Sequence, residues 1–145
     1  MDKIQVKIKK LRDNAVIPEY KTAGSAACDL VSCESVVIPA RGRAMVPTGL
    51  SVECENVAVL LFARSGLAVK HGIALANGVG VVDSDYRGEI MVGLSNHTDT
   101  DFLVSPGDRI AQMMFVPVVT ANFIESNTLS DTPRGSGGFG STGKA

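Results

Sequence analysis

An all-β fold of short strands, as a sandwich, barrel or jelly roll, is what this sequence predicts, and three observations carry it. Apolar residues recur with period two rather than 3.6, as in Ile4, Val6 and Ile8 alternating with Gln5, Lys7 and Lys9. About a dozen short apolar runs follow one another with Pro, Gly and other turn signals between them. One stretch alone, "RSGLAVKHG", has a helical character.

In chain order, "IQVKIKK" reads as a half-buried strand. "ESVVIP", "RAMVP" and "GLSVE" are short strand candidates. "NVAVLLFA" is continuously apolar and suits a strand covered on both faces. In "RSGLAVKHG", Ser65 is the expected N-cap and Gly72 the stop, which places a single short helix near residues 65–71. The runs "GIAL", "VGVV", "EIMVGLSN", "DFLVS", "RIAQMMFV" and "ANFIES" are further strands. From about Asn127 the composition turns to Ser, Thr, Pro and Gly, without the apolar groups needed to pack on its own. The expected division is therefore a β-barrel domain over residues 1–126 and a flexible C-terminal arm over 127–145.

Bulk properties narrow the function. A chain of 145 residues with 45% hydrophobic residues is long enough to bury a core as one domain. Aromatics are only 5% and Trp is absent, so that core must be built from Val, Ile, Leu, Ala and Met. With 14 basic and 15 acidic residues the net charge is −1, which argues against bulk binding to a polynucleotide. A small anionic ligand held by a few placed cations stays compatible. Cys28, Cys33 and Cys54 form no C-x-x-C and are odd in number, so a reducing compartment is expected and a disulfide framework is not. Their spacing relative to His71 and His97 matches no standard zinc site. No run is long enough for a membrane span and "MDKIQVKIKKL" lacks a signal-peptide core, so a cytoplasmic location is expected.

The end of the chain, "RGSGGFGSTGKA", contains G-x-G-x-x-G from Gly135 to Gly140 and nearly completes a phosphate loop. A dinucleotide fingerprint needs a helix and an acidic residue downstream, and a phosphate loop needs Ser or Thr after Gly-Lys. Ala145 follows Lys144 instead. What remains is a run of glycines with Arg134, Phe139, Ser141 and Thr142. Such a segment can bend around an anion, clamp a phosphate and offer a flat face to a base, or it can be a solvated end.

Four internal segments carry polar residues of interest. In "ARSGLAVKHG", Arg64 and Ser65 stand at the mouth of the expected helix, as an anion site or as an ordinary cap. "NGVGVVDSDYRGEIMV" reads as strand, turn, strand, with "DYRG" as the turn. Asp83, Asp85 and Gly88 mimic positions one, three and six of a calcium loop, but position twelve is Leu94, so that reading fails. Asp83 is then either a turn residue or a carboxylate aimed at chemistry, and Tyr86 either packing or a sugar platform. Gln112 interrupts the apolar run of "PGDRIAQMMFVPV" and needs a partner if buried. Asp29 is wedged among apolar residues in "SAACDLVS", where a carboxylate must be paired, hydrogen-bonded or near a metal.

Taken together and in this order, "AACDLVS", "ARSGLAVKHGI", "NGVGVVDSDYRGEI", "PGDRIAQMMF" and "RGSGGFGSTG" resemble the five motifs of the trimeric deoxyuridine triphosphatases. The resemblance runs from about Ile17 to Gly143. It implies a jelly-roll-like β fold and a homotrimer whose active sites lie between subunits. It also implies Mg²⁺ and hydrolysis of dUTP to dUMP and pyrophosphate, which keeps uracil out of DNA and supplies dUMP for thymidylate synthesis. The glycine-rich tail would be a lid, mobile when the site is empty and ordered when it is full.

Carried over residue by residue, the resemblance makes Asp83 the group that orients and helps deprotonate a water attacking the α-phosphorus. Asp29 would support the metal through water, with Mg²⁺ otherwise held by the substrate phosphates. Arg64, Ser65, Gly66, Gln112, Arg134, Gly140, Ser141 and Thr142 would surround the phosphate chain. A hairpin from Asn77 to Met91 would read the base, through the Asn77 amide and backbone groups near Val81, Val82 and Asp83. Tyr86 would pack beneath the deoxyribose, where a ribose hydroxyl would collide, and Phe139 would stack on the uracil. Ala27, Cys28 and Ala63 depart from the family's usual residues beside these groups. A dCTP deaminase on the same fold and a non-catalytic dUTP-binding module are the rival readings. The former needs a differently tuned base pocket with a catalytic Glu, and intact Asp83, Arg64 and Arg134 weigh against the latter.

Overall fold

The computed structural model describes residues 3–138. Eleven strands and one helix follow in the order β1 (Lys7–Lys10), β2 (Cys28–Val31), β3 (Val36–Ile38), β4 (Arg43–Pro47), β5 (Leu50–Glu53), β6 (Val57–Phe62), α1 (Ser65–His71), β7 (Ile73–Leu75), β8 (Gly80–Val82), β9 (Met91–Asn96), β10 (Phe102–Val104) and β11 (Arg109–Pro117). The pairs β2 with β11, β3 with β10 and β4 with β9 are all antiparallel and nested one inside the next. A long antiparallel ribbon rolled on itself gives this nesting, which is the jelly-roll pattern. The sheets so formed are β2-β11-β6-β8 with four strands, β4-β9-β7 with three, and the two-stranded β1-β5 and β10-β3.

One apolar cluster lies inside, with Leu30, Ile38, Val46, Leu50, Val59, Ile73, Val92, Leu94 and Met113 almost fully buried. Its make-up of aliphatic residues and Met is what the scarcity of aromatics demands. The period-two expectation holds at β9, where Val92, Leu94 and Asn96 are buried and Met91, Gly93 and Ser95 are half-buried. Asn96 is the polar member of that inner row and is fully matched. Its amide nitrogen donates to the carbonyls of Ile38 (3.1 Å) and Thr100 (2.8 Å), and its oxygen accepts from Thr98 N–H (2.9 Å) and Oγ1 (2.8 Å). Cys28, Cys33 and Cys54 are free, buried thiols, and burial pushes each thiol pKa up. None of the described helices is long and apolar enough to cross a membrane.

The structure corrects five local expectations. β1 begins at Lys7 rather than Ile4. Arg64, not Ser65, occupies the N-cap of α1, with extended backbone angles and no side-chain cap bond. The backbone continues β6's extended path through Arg64, whose carbonyl accepts the first helical bond from Ala68 N–H at 2.9 Å. Gly72 ends the helix as expected, in a left-handed conformation with φ of 64°. The segment from Asn77 to Met91 is not a paired hairpin, because β8 pairs with β6 while β9 pairs with β4 and β7. Its turn is closed by Tyr86 N–H on the Asp83 carbonyl, ahead of the expected "DYRG". Finally, "ANFIES" forms no strand. Irregular, exposed chain begins at Val118, with Phe123 at 93% and Ile124 at 83% exposure, and among the described residues no strand lies alongside to pair with it.

Replacing Asn96 with Ala removes four side-chain hydrogen bonds and leaves the Ile38 carbonyl and Thr98 N–H without the amide that met them. A loss of about 3 kcal/mol is expected, read as a lower denaturant midpoint with an unchanged slope.

Candidate active site

The four-stranded sheet sets the candidate site. Directly paired residues of antiparallel strands point to the same face. Gln112 on β11 pairs with Asp29 on β2 and with Phe62 on β6, and Leu60 on β6 pairs with Met114 and with Val81 on β8. One face of the sheet therefore carries Asp29, Gln112, Phe62, Leu60, Met114 and Val81. The opposite face supplies Cys28, Leu30, Val59, Leu61 and Met113 to the core. The outer face is only half-covered, and Val81 is 64% exposed. A cavity of about 340 Å³ opens there, lined by Ser25, Ala26, Ala27, Phe62, Gln112 and Met114.

At one end of this face sits an ion cluster. Asp29, with an 11% exposed side chain, receives Arg64 Nε at 3.0 Å on one oxygen and Arg109 Nη1 at 3.1 Å on the other. Arg64 also donates to the Arg109 carbonyl at 3.3 Å. Of the outcomes open to a carboxylate in an apolar run, the ion pair is the one realised. One anion shared by two guanidiniums leaves one net positive charge and spare N–H donors at the surface. Such a group suits a phosphate chain. Arg109 was not singled out from the sequence. Its signal was its place at the start of an apolar strand, and only the partner strand reveals Asp29 beside it.

Ser65 and Gly66 follow Arg64 in the first turn of α1 and are exposed. Asn77 lies exposed in the turn between β7 and β8, where Gly78 N–H reaches the Leu75 carbonyl at 3.2 Å. Val81 and Val82 lie on β8, the outer strand of its sheet, so one side of their backbone faces away from β6. Asp83, exposed, follows β8. Met91 opens β9, half-buried and paired with Pro47. Arg134 is exposed in a turn where Gly135 N–H bonds the Thr132 carbonyl at 3.0 Å. Phe139, Gly140, Ser141 and Thr142 lie outside the described residues.

The loop from Asp83 to Ile90 is held by a separate set of bonds. Ser51 Oγ donates to the Arg87 carbonyl (2.7 Å), Gly49 N–H to the Glu89 carboxylate (2.8 Å), and Thr48 Oγ1 to the Ile90 carbonyl (2.7 Å). Ile90 N–H in turn donates to the Leu50 carbonyl at 2.8 Å. Glu89 also faces Arg12 at 3.6 Å. Gly49 has a φ of +69°, and a side chain there would press on Ala15 at 2.8 Å. The β4–β5 corner is thus a clamp on the loop that carries Asp83.

The two groups do not meet within one chain. Val82 pairs with Val59, which brings Asp83 level with Ala58, and Arg64 lies six residues further on, from 58 to 64. At a strand rise of about 3.3 Å per residue this is about 20 Å. The structure gathers Asp29, Arg64, Arg109 and Gln112 at one end and leaves Asp83 and Tyr86 at the other. The described residues contain no group of three or more His, Cys, Asp or Glu able to hold a metal ion. Each Asp29 oxygen accepts from one guanidinium, so among the described residues Asp29 is not a direct metal ligand, while each oxygen keeps a lone pair for a water-mediated contact. A second cavity of about 280 Å³, beside Arg41, Arg43, Ser95 and His97, holds none of the expected site residues.

Comparison with known proteins shows the family. The profile of the dUTPase family matches residues 13–143. A deoxyuridine 5'-triphosphate nucleotidohydrolase of Oryza sativa subsp. japonica is 53% identical over 139 residues, covering 95% of this chain and 80% of the relative. Its counterpart in Nautilia profundicola is 51% identical over 142 residues, covering 97% of this chain and all of the relative. The solved structure of the Staphylococcus bacteriophage 80alpha dUTPase with dUPNHPP superposes with a TM-score of 0.90 at 27% identity, over 97% of this chain and 99% of that one. This chain belongs to the dUTPase family.

Proposed function

We propose that this protein hydrolyses dUTP to dUMP and pyrophosphate at sites shared between the copies of a homotrimer. The observation that carries the shared site is the separation of Asp83 from Arg64 by about 20 Å along one sheet face. One chain cannot present both to the same α-phosphate, so a second copy supplies the missing half. The half-covered apolar face of Leu60, Phe62, Met114 and Val81, and the exposed arm with Val119, Phe123, Ile124 and Leu129, are the surfaces such neighbours would cover.

Arg64, Arg109 and Gln112, with Ser65 and Gly66, take the triphosphate, Asp29 fixing the two guanidiniums so that their spare donors point outward. The outer edge of β8 offers backbone groups of Val81 to Asp83 to the uracil edge, with the Asn77 amide beside them. A backbone wall also rejects the thymine methyl, and one methyl in a pocket is worth about 1–3 kcal/mol. Tyr86 lies under the deoxyribose. Asp83 orients a water in line with the α-phosphorus. A carboxylate with a reference pKa of about 3.9 is a weak base toward water, so fixing the angle of attack counts as much as accepting the proton. A magnesium ion arriving on the phosphates would offset their charge. Arg134 and the residues after it, including Phe139, Gly140, Ser141 and Thr142, close over the bound nucleotide as a lid. Residence in the cytoplasm belongs to the same reading.

Pyrophosphate release measured side by side should be fast with dUTP and much slower with dTTP, dCTP and UTP. Ammonia released from dCTP would replace this reading with a deaminase. Asp83→Asn should bind dUTP and lose at least about 10³-fold in turnover, and an unchanged rate would remove Asp83 from its role. Neither Asp83→Asn nor Arg64→Ala should turn over alone, but mixed trimers of the two should regain activity, because some sites then draw both intact residues from different copies. No recovery would place the whole site in one chain. Asp29→Asn should raise KM for dUTP about tenfold through loss of the charge-assisted anchor, with the fold retained.

A further inference from the structure

Tyr86 is latched to its own loop. Its hydroxyl donates to the Glu89 carbonyl at 3.0 Å. A Cβ added at Gly88 would lie 2.3 Å from the Tyr86 hydroxyl, 2.5 Å from Cζ and 2.9 Å from Cε2. The ring therefore lies across the Gly88 backbone, in the space a side chain would take. Gly88 is not among the glycines with positive φ, so its backbone would accept alanine. What the position requires is room rather than conformational freedom.

The acceptor end of the latch is firm. Glu89 is held through its carboxylate by Gly49 N–H at 2.8 Å and faces Arg12 at 3.6 Å, and the next residue, Ile90, is bonded at both its N–H and its carbonyl. One part of the ring rests on this braced backbone, while the residue as a whole stays 46% exposed and available to a ligand. A wall rejects an extra hydroxyl only if it cannot move aside.

We infer that Gly88 is a specificity-determining position: its missing side chain lets the Tyr86 ring seat on the backbone and lock to Glu89, which makes the sugar platform rigid enough to reject a ribonucleotide. This rests on the proposed placement of Tyr86 beneath the deoxyribose. Gly88 touches neither sugar nor phosphate in this account and acts only through Tyr86. An added methyl group displaces the ring, breaks the latch and leaves a platform that yields to a 2′-hydroxyl.

The test compares kcat/KM for dUTP and UTP in the parent, Gly88→Ala, Tyr86→Phe and the double variant, with melting temperatures alongside. The parent must first prefer dUTP strongly. A parent without that preference defeats the placement of Tyr86 itself, which separates that failure from failure of the latch. Gly88→Ala is expected to lower the dUTP-to-UTP ratio at least tenfold. Tyr86→Phe keeps the ring but loses the hydroxyl bond and should lower the ratio by less. The double variant should fall no further than Gly88→Ala, since both changes break one latch. A Gly88→Ala enzyme that melts lower but keeps the parent's ratio, or loses both substrates in equal proportion, overturns the inference. If Gly88→Ala does not fold, Tyr86→Phe decides alone, and an unchanged ratio there is equally fatal.

Discussion

The register of β11 is the constraint on which the rest of this molecule depends. The strand is nine residues long and pairs with β2 on one side and β6 on the other. That register sends Met113 into the core and turns Gln112 outward between Asp29 and Phe62. A slip of one residue would exchange the two faces. It would turn the Gln112 amide into the core without a partner and expose Met113, at a cost of about 2 kcal/mol or more for each change. The same alternation that builds the core thus aims the polar residues at the site. Stability and chemistry share one period-two pattern, with a register shift between Arg109 and Ala111 as its local irregularity.

A second constraint is how polar groups near the site are satisfied. Asp29 is nearly buried, and in that setting a lone carboxylate would be costly. Two guanidiniums meet it, and the cluster keeps a net positive charge pointed at solvent. The opposite arrangement holds at the Asp83 loop, where Thr48, Gly49 and Ser51 donate to the loop's carbonyl and carboxylate oxygens. The loop owes its order to a corner of chain more than thirty residues earlier, and Asp83 itself stays exposed. The Asp83 carboxylate is therefore carried on a braced support and not tied down directly.

These two halves are built to different designs. The cationic end pairs one carboxylate with two guanidiniums and keeps spare donors at the surface. The carboxylate end keeps Asp83 exposed on a loop whose backbone is held by hydrogen bonds. A cation cluster beside Asp83 in the same chain would pair with it and blunt it. Spacing the two along a sheet avoids that. The apolar rows on the outer face stay half-covered, and the aliphatic and aromatic residues of the arm stay exposed.

Local patterns were enough to foresee eleven of these elements as strand and helix, because alternation and turn residues act over a few positions. They also flagged Asp29 and Gln112, since a polar residue in an apolar run stands out whatever it touches. "ANFIES" misled because an alternating pattern states a willingness to pair and not the presence of a partner. Arg109 and the pairing of β8 with β6 were invisible for the same reason in reverse. Their partners lie tens of residues away, and nothing at Arg109 announces Asp29. What the amino-acid order determined by itself was the period, the turns and the residue types available for chemistry. Which strands lie side by side, which guanidiniums share a carboxylate, and that Tyr86 rests on Gly88 were decided only in three dimensions, because those contacts join groups whose nearness is a property of the packed sheet and the closed loop.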